Sequence, residues 1–287
     1  MCRIRTGVSM AAIMMLLSLG AAGEELSADV YTAAAERFAE CVLEHGRDTY
    51  GEGHTPLFAD GLHAESFKPV IWKKDGESWV LCNFASQQPL MRLLDGLTAV
   101  TGRAKYRAAA EEAARYALQH LRTPNGLLNW GGHMAWDLAE DKAVGQYNLS
   151  HELKGQQPYY ALMQRAAPAE TRRLQEAIWA GHVLDWALLD YNRHASGAKD
   201  FRPQWDHDFD TNTAVPFPAQ GGNLSFVNVT PPLLHTAVML AVQQKDEDPL
   251  QWANRLVDRW IQARHPQTGL SGGQLSYRDH DRARDAL

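Results

Sequence analysis

Histidine, acidic and aromatic residues are concentrated in a few glycine- and proline-rich segments of this 287-residue sequence. His133 follows a glycine pair, Glu152 follows a histidine, and His194 follows an arginine. Two neutral imidazoles and one carboxylate, with open coordination positions, suit a catalytic divalent metal. Their intervals follow no local rule, so composition alone leaves each histidine open to a structural role as well.

Short motifs that identify a chemistry by themselves are absent. The sequence contains no H-E-x-x-H, no Walker loop, no G-x-S-x-G and no EF-hand loop. Lys154, if removed from water, could act as a base or hold a substrate carboxylate. Trp130 could stack on a sugar ring, although tryptophan in a helical protein is more often core. His182 lies between Trp179 and Trp186 on a helical face, which favours a core histidine.

The elements that position these residues are mostly helical. Apolar residues recur at helical spacing, and Gly and Pro separate the periodic stretches. The patterns predict six helices, over residues 27–47, 90–101, 104–121 and 168–191, after Pro231-Pro232, and over 249–264.

Two helical hairpins repeat with an offset of about 143 residues. Each begins with Pro-Leu and ends in a Pro-containing turn, a Gly-Leu pair and then Gly-Gly. Repeated hairpins with loops on one side predict an all-α fold, an (α/α) toroid whose loops line a cleft. The second unit ends near residue 273, and few residues follow. We therefore expect a toroid that is incomplete at the C-terminus.

The N-terminus has the pattern of a cleaved secretory signal. Two arginines precede an apolar run of about a dozen residues and a cluster of small residues. We predict a signal peptide over residues 1–23, one toroid domain over 24–287, and a periplasmic or secreted protein without a membrane segment in its mature form. Cys41 and Cys82 would remain after cleavage, and sequence leaves their pairing open.

The charge balance excludes one class of partner. The formal net charge is −6, and removing Arg3 and Arg5 with the signal takes it two units lower. Sequence-independent binding of nucleic acid needs a basic surface. We therefore expect no nucleic-acid partner.

Two segments resemble a known family. Residues 151–154 (His-Glu-Leu-Lys) with 158–160 (Pro-Tyr-Tyr), followed by 190–194 (Asp-Tyr-Asn-Arg-His), are similar to the pectate lyases of polysaccharide lyase family 2. The resemblance implies a periplasmic or secreted (α/α) toroid that cleaves homogalacturonan by β-elimination. It also implies a divalent metal, manganese first, with calcium or another ion as the alternative.

The resemblance also assigns roles to individual residues. It implies that His133, Glu152 and His194 bind the metal and that Arg193 removes the proton at C5 of the sugar. Arginine is ordinarily protonated, so this role needs a special environment. The family uses a second arginine much later in the chain, and Arg278 is the best match here.

Three further residues are expected to contact the acidic polysaccharide or its oligogalacturonides. They are Lys154, Trp130 and Tyr159. A locally positive centre is needed, because the overall charge of the protein would repel a polyuronate.

Two other classes of function stay open at this point. A metal-free (α/α) glycoside hydrolase or sugar epimerase would use Glu152 with Asp190 or Asp137 as its acid and base. A non-enzymatic carbohydrate-binding remnant would bind a uronan without turnover.

Overall fold

The computed structural model describes residues 27–132, 134–145, 150–196, 202–219 and 225–278. Helices account for 44% of these residues, which confirms the all-α prediction. The predicted signal peptide, residues 1–23, lies outside the described residues. None of the described helices combines the length and apolarity that crossing a membrane requires.

Seven α-helices are present in the described residues. Proline in the first turn begins four of them, where its missing N–H costs no helical hydrogen bond. The helices are α1 (Ala28–His45), α2 (Gln88–Thr101), α3 (Ala104–His120), α4 (Tyr160–Ala166), α5 (Pro168–His182), α6 (Thr230–Gln244) and α7 (Asp248–Gln262).

Each helix packs against the next one along the chain, and α3 also contacts α5. The buried face of α3 is almost entirely alanine, from Ala109 to Ala117, which lets neighbouring helices approach closely. Successive antiparallel hairpins of this kind are compatible with a toroid. The described helices do not close into a barrel.

The predicted repeat is visible in the two turns. Gly126 after α3 and Gly269 after α7 both have positive φ, 97° and 70°. An isolated antiparallel bridge brackets each turn, Arg122 with Leu128 and Arg264 with Ser271. The two hairpins therefore end in the same local structure.

Short strands occupy the segments between helices, and sequence periodicity did not reveal them. The largest sheet has four antiparallel strands in the order β1 (Ile71–Lys74), β2 (Glu77–Cys82), β3 (Met134–Asp137) and β4 (Lys142–Gly145). Three two-stranded pairs follow: β5 (His151–Glu152) with β8 (His194–Ala195), β6 (Val183–Asp185) with β7 (Asp190–Tyr191), and β9 (Phe217–Pro218) with β10 (Ser276–Tyr277).

The helix predicted over residues 168–191 was wrong in its second half. Helix α5 ends at His182, and the chain turns into the β6–β7 hairpin. Leu189 adopts φ 57° in that turn, and the Asn192 N–H donates to the His182 carbonyl. Tertiary hydrogen bonds therefore override a helical apolar pattern.

Two further features depend on packing. On the first helix, Val30 and Phe38 are about half exposed, whereas Ala39 is fully buried. Cys41 and Cys82 are both free, so they do not form a disulfide.

Candidate active site

Glu152 and His194 face each other across a two-stranded β pair. In the antiparallel register of β5 and β8, Glu152 is the partner of His194. The His194 Nε2 atom lies 3.3 Å from Glu152 Oε1. Two residues that are 42 positions apart thus place a carboxylate and an imidazole in direct contact.

The Glu152 carboxylate is fully buried and surrounded by positive groups. Lys154 Nζ lies 3.2 Å from Oε2, and Arg193 Nε lies 3.9 Å from Oε1. The Gly132 N–H also donates to Oε2 at 3.1 Å. We name Glu152, Lys154, Arg193 and His194 the Glu152 cluster.

These contacts set the protonation state of Glu152. Burial by itself raises the pKa of the Glu152 carboxyl group. The Gly132 N–H, Lys154 and His194 together lower the pKa by more than burial raises it, so the net pKa is below its ordinary value. The carboxylate is therefore ionised at neutral pH. An ionised buried carboxylate beside an imidazole is a suitable pair of donors for a divalent cation.

A glycine pair makes room for this carboxylate. A Cβ on Gly131 would lie 2.6 Å from Glu152 Cβ, and the φ of Gly131 is 135°, which other residues rarely adopt. A Cβ on Gly132 would meet Lys154 Nζ at 2.2 Å. The first glycine is required by the backbone, and the second leaves the space that the lysine ammonium occupies.

The backbone frame of the cluster is continuous. Residues Trp130 and Glu152 are joined by a hydrogen bond from the Glu152 N–H to the Trp130 carbonyl. The Leu153 N–H donates to the Arg193 carbonyl at 2.8 Å. The Asn192 side chain accepts from the His194 N–H. Three separate chain segments are thus held together by main-chain bonds.

Behind Glu152 lies a buried pair of histidines. His151 Nδ1 and His182 Nε2 are 2.8 Å apart, and His182 Nδ1 contacts the Asn192 carbonyl at 2.6 Å. His182 is fully buried at the end of α5, so the prediction of a core histidine is confirmed. Burial lowers the pKa of His182 to about 4 and that of His151 well below its ordinary value. Both rings are neutral, and they tie α5 to the two strands of the cluster.

The third predicted ligand, His133, lies outside the described residues. Gly132, which precedes it in the sequence, is hydrogen-bonded to Glu152. Within the part of the chain that the structure describes, no three His, Cys, Asp or Glu side chains form a group able to hold a metal ion.

Arg278 follows a strand that is hydrogen-bonded to the chain segment just before Arg193. The Ser276 hydroxyl donates to Asp190 Oδ1 at 2.6 Å, and both residues are fully buried. Asp190 belongs to strand β7, which ends two residues before Arg193. Strand β10, followed by the exposed Arg278, is thereby fixed to the segment that carries Arg193.

The structure corrects the expectation for Trp130 and places Tyr159 away from the Glu152 cluster. Trp130 is 2% exposed and stacks on His151, so it has no face for a sugar ring. Tyr159 is directed at α2, where its hydroxyl donates to Asp95 Oδ2 and its ring lies under Arg92. Sequence spacing alone could not distinguish a buried aromatic residue from one that lines a cleft.

The two aspartates of the alternative acid–base pairs lie in internal hydrogen bonds. Asp137 is fully buried and accepts from the N–H groups of Val80 and Ala139. Asp190 is fully buried and accepts from the Ser276 hydroxyl. Neither aspartate belongs to the Glu152 cluster, so these contacts do not favour a metal-free pair.

The helical-hairpin scaffold thus brings a buried carboxylate, an imidazole and two basic side chains together at its loops. Residues 55–286 match the family described as periplasmic pectate lyase. The chain is also 32% identical over 256 residues to a pectate disaccharide-lyase of Dickeya dadantii (strain 3937). The protein therefore belongs to the periplasmic pectate lyase family.

That alignment covers 86% of this chain and 47% of the relative. The chain thus spans about half the length of this relative. The residues of the Glu152 cluster lie within the family match, which begins at residue 55 and ends at 286.

Proposed function

We propose that the protein acts in the periplasm or outside the cell as a metal-dependent pectate lyase that cleaves homogalacturonan or its oligomers by β-elimination. The observation that carries this proposal is the contact between Glu152 and His194 with Arg193 and Lys154 beside it. Family membership supports the same reaction.

The residues of the cluster fit a divalent metal. Glu152 supplies an ionised carboxylate and His194 an imidazole nitrogen 3.3 Å away. His133 would be the third ligand, and the hydrogen bond of its neighbour Gly132 to Glu152 supports that assignment. Manganese is the first candidate, and calcium or another divalent ion is the alternative. When bound, such an ion neutralises the substrate carboxylate and stabilises the charge that develops beside it.

The other residues of the cluster have separate roles in the elimination. Arg193, acting in its deprotonated form, takes the proton from C5 of the uronate, the C4–O4 bond breaks and a C4–C5 double bond forms, and water supplies the proton that the leaving oxygen receives. The buried Nε atom of Arg193 has no hydrogen-bond partner among the described residues, so an internal hydrogen bond does not occupy it. Lys154 is one-third exposed and directs its ammonium to the same carboxylate, where it can pair with a substrate carboxylate.

The position of the cations suits an acidic polymer. The whole protein is negative, with 28 Lys and Arg against 34 Asp and Glu. A polyuronate is therefore attracted by the local field of the cluster and not by the overall charge. Arg278, on the segment anchored by Ser276, is the candidate for the second arginine of the reaction.

The test is a spectrophotometric assay on polygalacturonate. Elimination creates an unsaturated uronide that absorbs ultraviolet light, whereas hydrolysis does not. We expect product formation that EDTA abolishes and that added Mn²⁺ restores. Activity that resists the chelator would contradict the metal role, and saturated products would contradict the lyase reaction.

A further inference from the structure

One face of the four-stranded sheet forms a second pocket beside the Glu152 cluster. The pocket has a volume of about 280 Å³. Its floor consists of Trp79, Ala135 and Val144, which make a small apolar cluster separate from the main core. Strand β1 forms its outer wall with Trp72 and Lys74. The sheet therefore turns one face toward a cavity and not toward the helices.

Trp72 is the exception among the nine tryptophans of the protein. It is 55% exposed, whereas the other eight are buried or half-buried. In the register of β1 and β2, Trp72 lies directly opposite Trp79. Trp79 is fixed by the hydrogen bond from its Nε1 to Glu77. An exposed indole held at the rim of a pocket is a platform for the apolar face of a sugar ring.

Charge along the same strand face indicates what kind of sugar fits. Side chains alternate along a strand, so Trp72 and Lys74 share the pocket face while Ile71 and Lys73 point away. Lys74 is exposed and lines the pocket. Two acidic residues lie on this face, and both are already hydrogen-bonded. Glu77, the register partner of Lys74, accepts from Trp79 Nε1, and Asp60, at the opposite end, accepts from Asn83 and Gln87. Lys74 is therefore the group positioned to pair with a carboxylate.

The pocket adjoins the Glu152 cluster. Gly132 lines the pocket and also donates its N–H to Glu152. Asn83, on the pocket wall, donates from its side chain to the Gly131 carbonyl at 2.8 Å. The same glycine pair thus separates the two sites by a single backbone thickness. A chain of linked sugars that occupies the cluster would continue over this sheet face.

We propose that Trp72 and Lys74 form a binding subsite for a uronate unit of a longer oligogalacturonate, beyond the first two units that the Glu152 cluster holds. Trp72 stacks on the pyranose ring, and Lys74 pairs with its carboxylate. The identity of the sugar rests on the proposed function, because the cluster determines which polymer enters. The subsite has no part in bond cleavage. It increases affinity for longer oligomers.

The test compares short and long oligomers on the full chain. Calorimetry in EDTA measures binding without cleavage, and digalacturonate and heptagalacturonate are the probes. We expect Trp72→Ala and Lys74→Ala each to weaken heptagalacturonate binding about tenfold and to leave digalacturonate binding unchanged. A neutral gluco-oligosaccharide of the same length should not respond to Lys74→Ala.

Matched controls come from the opposite face of the same strand. Lys73→Ala removes the same charge, and Ile71→Ala removes an exposed apolar side chain, so both should bind like the wild type. Wild-type affinity of Trp72→Ala for heptagalacturonate would overturn the subsite, as would equal losses in the controls or no oligomer binding at all. If the wild type shows the length effect but forms no unsaturated product, the proposed function fails and the subsite stands. If the wild type forms unsaturated product but binds long and short oligomers equally well, the proposed function stands and the subsite fails.

Discussion

Glu152 Oε1 lies 3.3 Å from His194 Nε2, although the two residues are 42 positions apart in sequence. The contact depends on the pairing of β5 with β8, which sets Glu152 opposite His194.

Replacing Glu152 by Gln should abolish metal binding with little change in shape. The amide keeps an oxygen for the Gly132 N–H but loses the charge that a cation needs. We expect Mn²⁺ affinity, measured by calorimetry, to fall by about 100-fold or more. The exposed Glu140→Gln serves as the control. Unchanged Mn²⁺ affinity in Glu152→Gln would remove this residue from the ligand set.

Arg193→Lys should separate metal binding from proton transfer. The variant keeps a positive charge beside Glu152 but moves it, so the metal should bind normally. We expect kcat to fall by about 100-fold or more, as is typical when a proton-transfer group is lost. Single-turnover assays and Mn²⁺ calorimetry provide the two readouts. A variant with wild-type kcat would exclude Arg193 as the base.

The buried histidines should make stability depend on pH. The pKa of His182 is about 4 in the folded protein and near 6.5 when unfolded. Between these values the unfolded chain binds a proton that the folded chain does not, so the free energy of unfolding decreases as pH falls. His182 alone lowers the free energy of unfolding by roughly 2 kcal/mol between pH 7 and pH 5. His151 acts in the same direction.

Urea unfolding at the two pH values tests this. His182→Gln should flatten the pH dependence, and the exposed His63→Gln should leave it unchanged. If His182→Gln has the same pH slope as the wild type, the histidine is not buried in its neutral form.

The two glycines next to Glu152 should differ in tolerance to alanine. Gly131→Ala forces alanine into a positive φ and places its Cβ against Glu152 Cβ, which cannot move without its backbone. We expect the free energy of unfolding to fall by about 1–3 kcal/mol. Gly132→Ala meets only the end of the flexible Lys154 side chain, so its cost should be under about 1 kcal/mol. Thermal unfolding compares them, and equal losses would contradict the geometry.

Ser276→Ala should loosen the segment that carries Arg278. Buried Asp190 loses a 2.6 Å hydrogen bond, which costs about 1–3 kcal/mol. If Arg278 takes part in the reaction, kcat should also fall, whereas Mn²⁺ affinity should not. Ser66→Ala, at an exposed site, is the matched control. Wild-type stability of Ser276→Ala would show that this bond does not anchor the segment.

Several features of the protein were determined by sequence alone. Proline at helix starts and the left-handed Gly102 at the end of α2 fixed element boundaries, since these residues act through local backbone geometry. The repeat was recognisable because Gly126 and Gly269 occupy equivalent turns. The residues of the Glu152 cluster were identified from residue types and a family resemblance, as both are carried by the chain itself.

Other features were decided only by tertiary structure. The apolar pattern after His182 suits a helix, yet the chain forms the β6–β7 hairpin there, and the Ala187 carbonyl in its turn accepts from the N–H of Asp210 in a later segment. The burial of Trp130 and the exposure of Trp72 depend on which surface the rest of the chain covers. Long-range pairing likewise placed His194 on Glu152 and Ser276 on Asp190. Local propensity cannot encode such contacts, because their partners lie tens of residues away in the sequence.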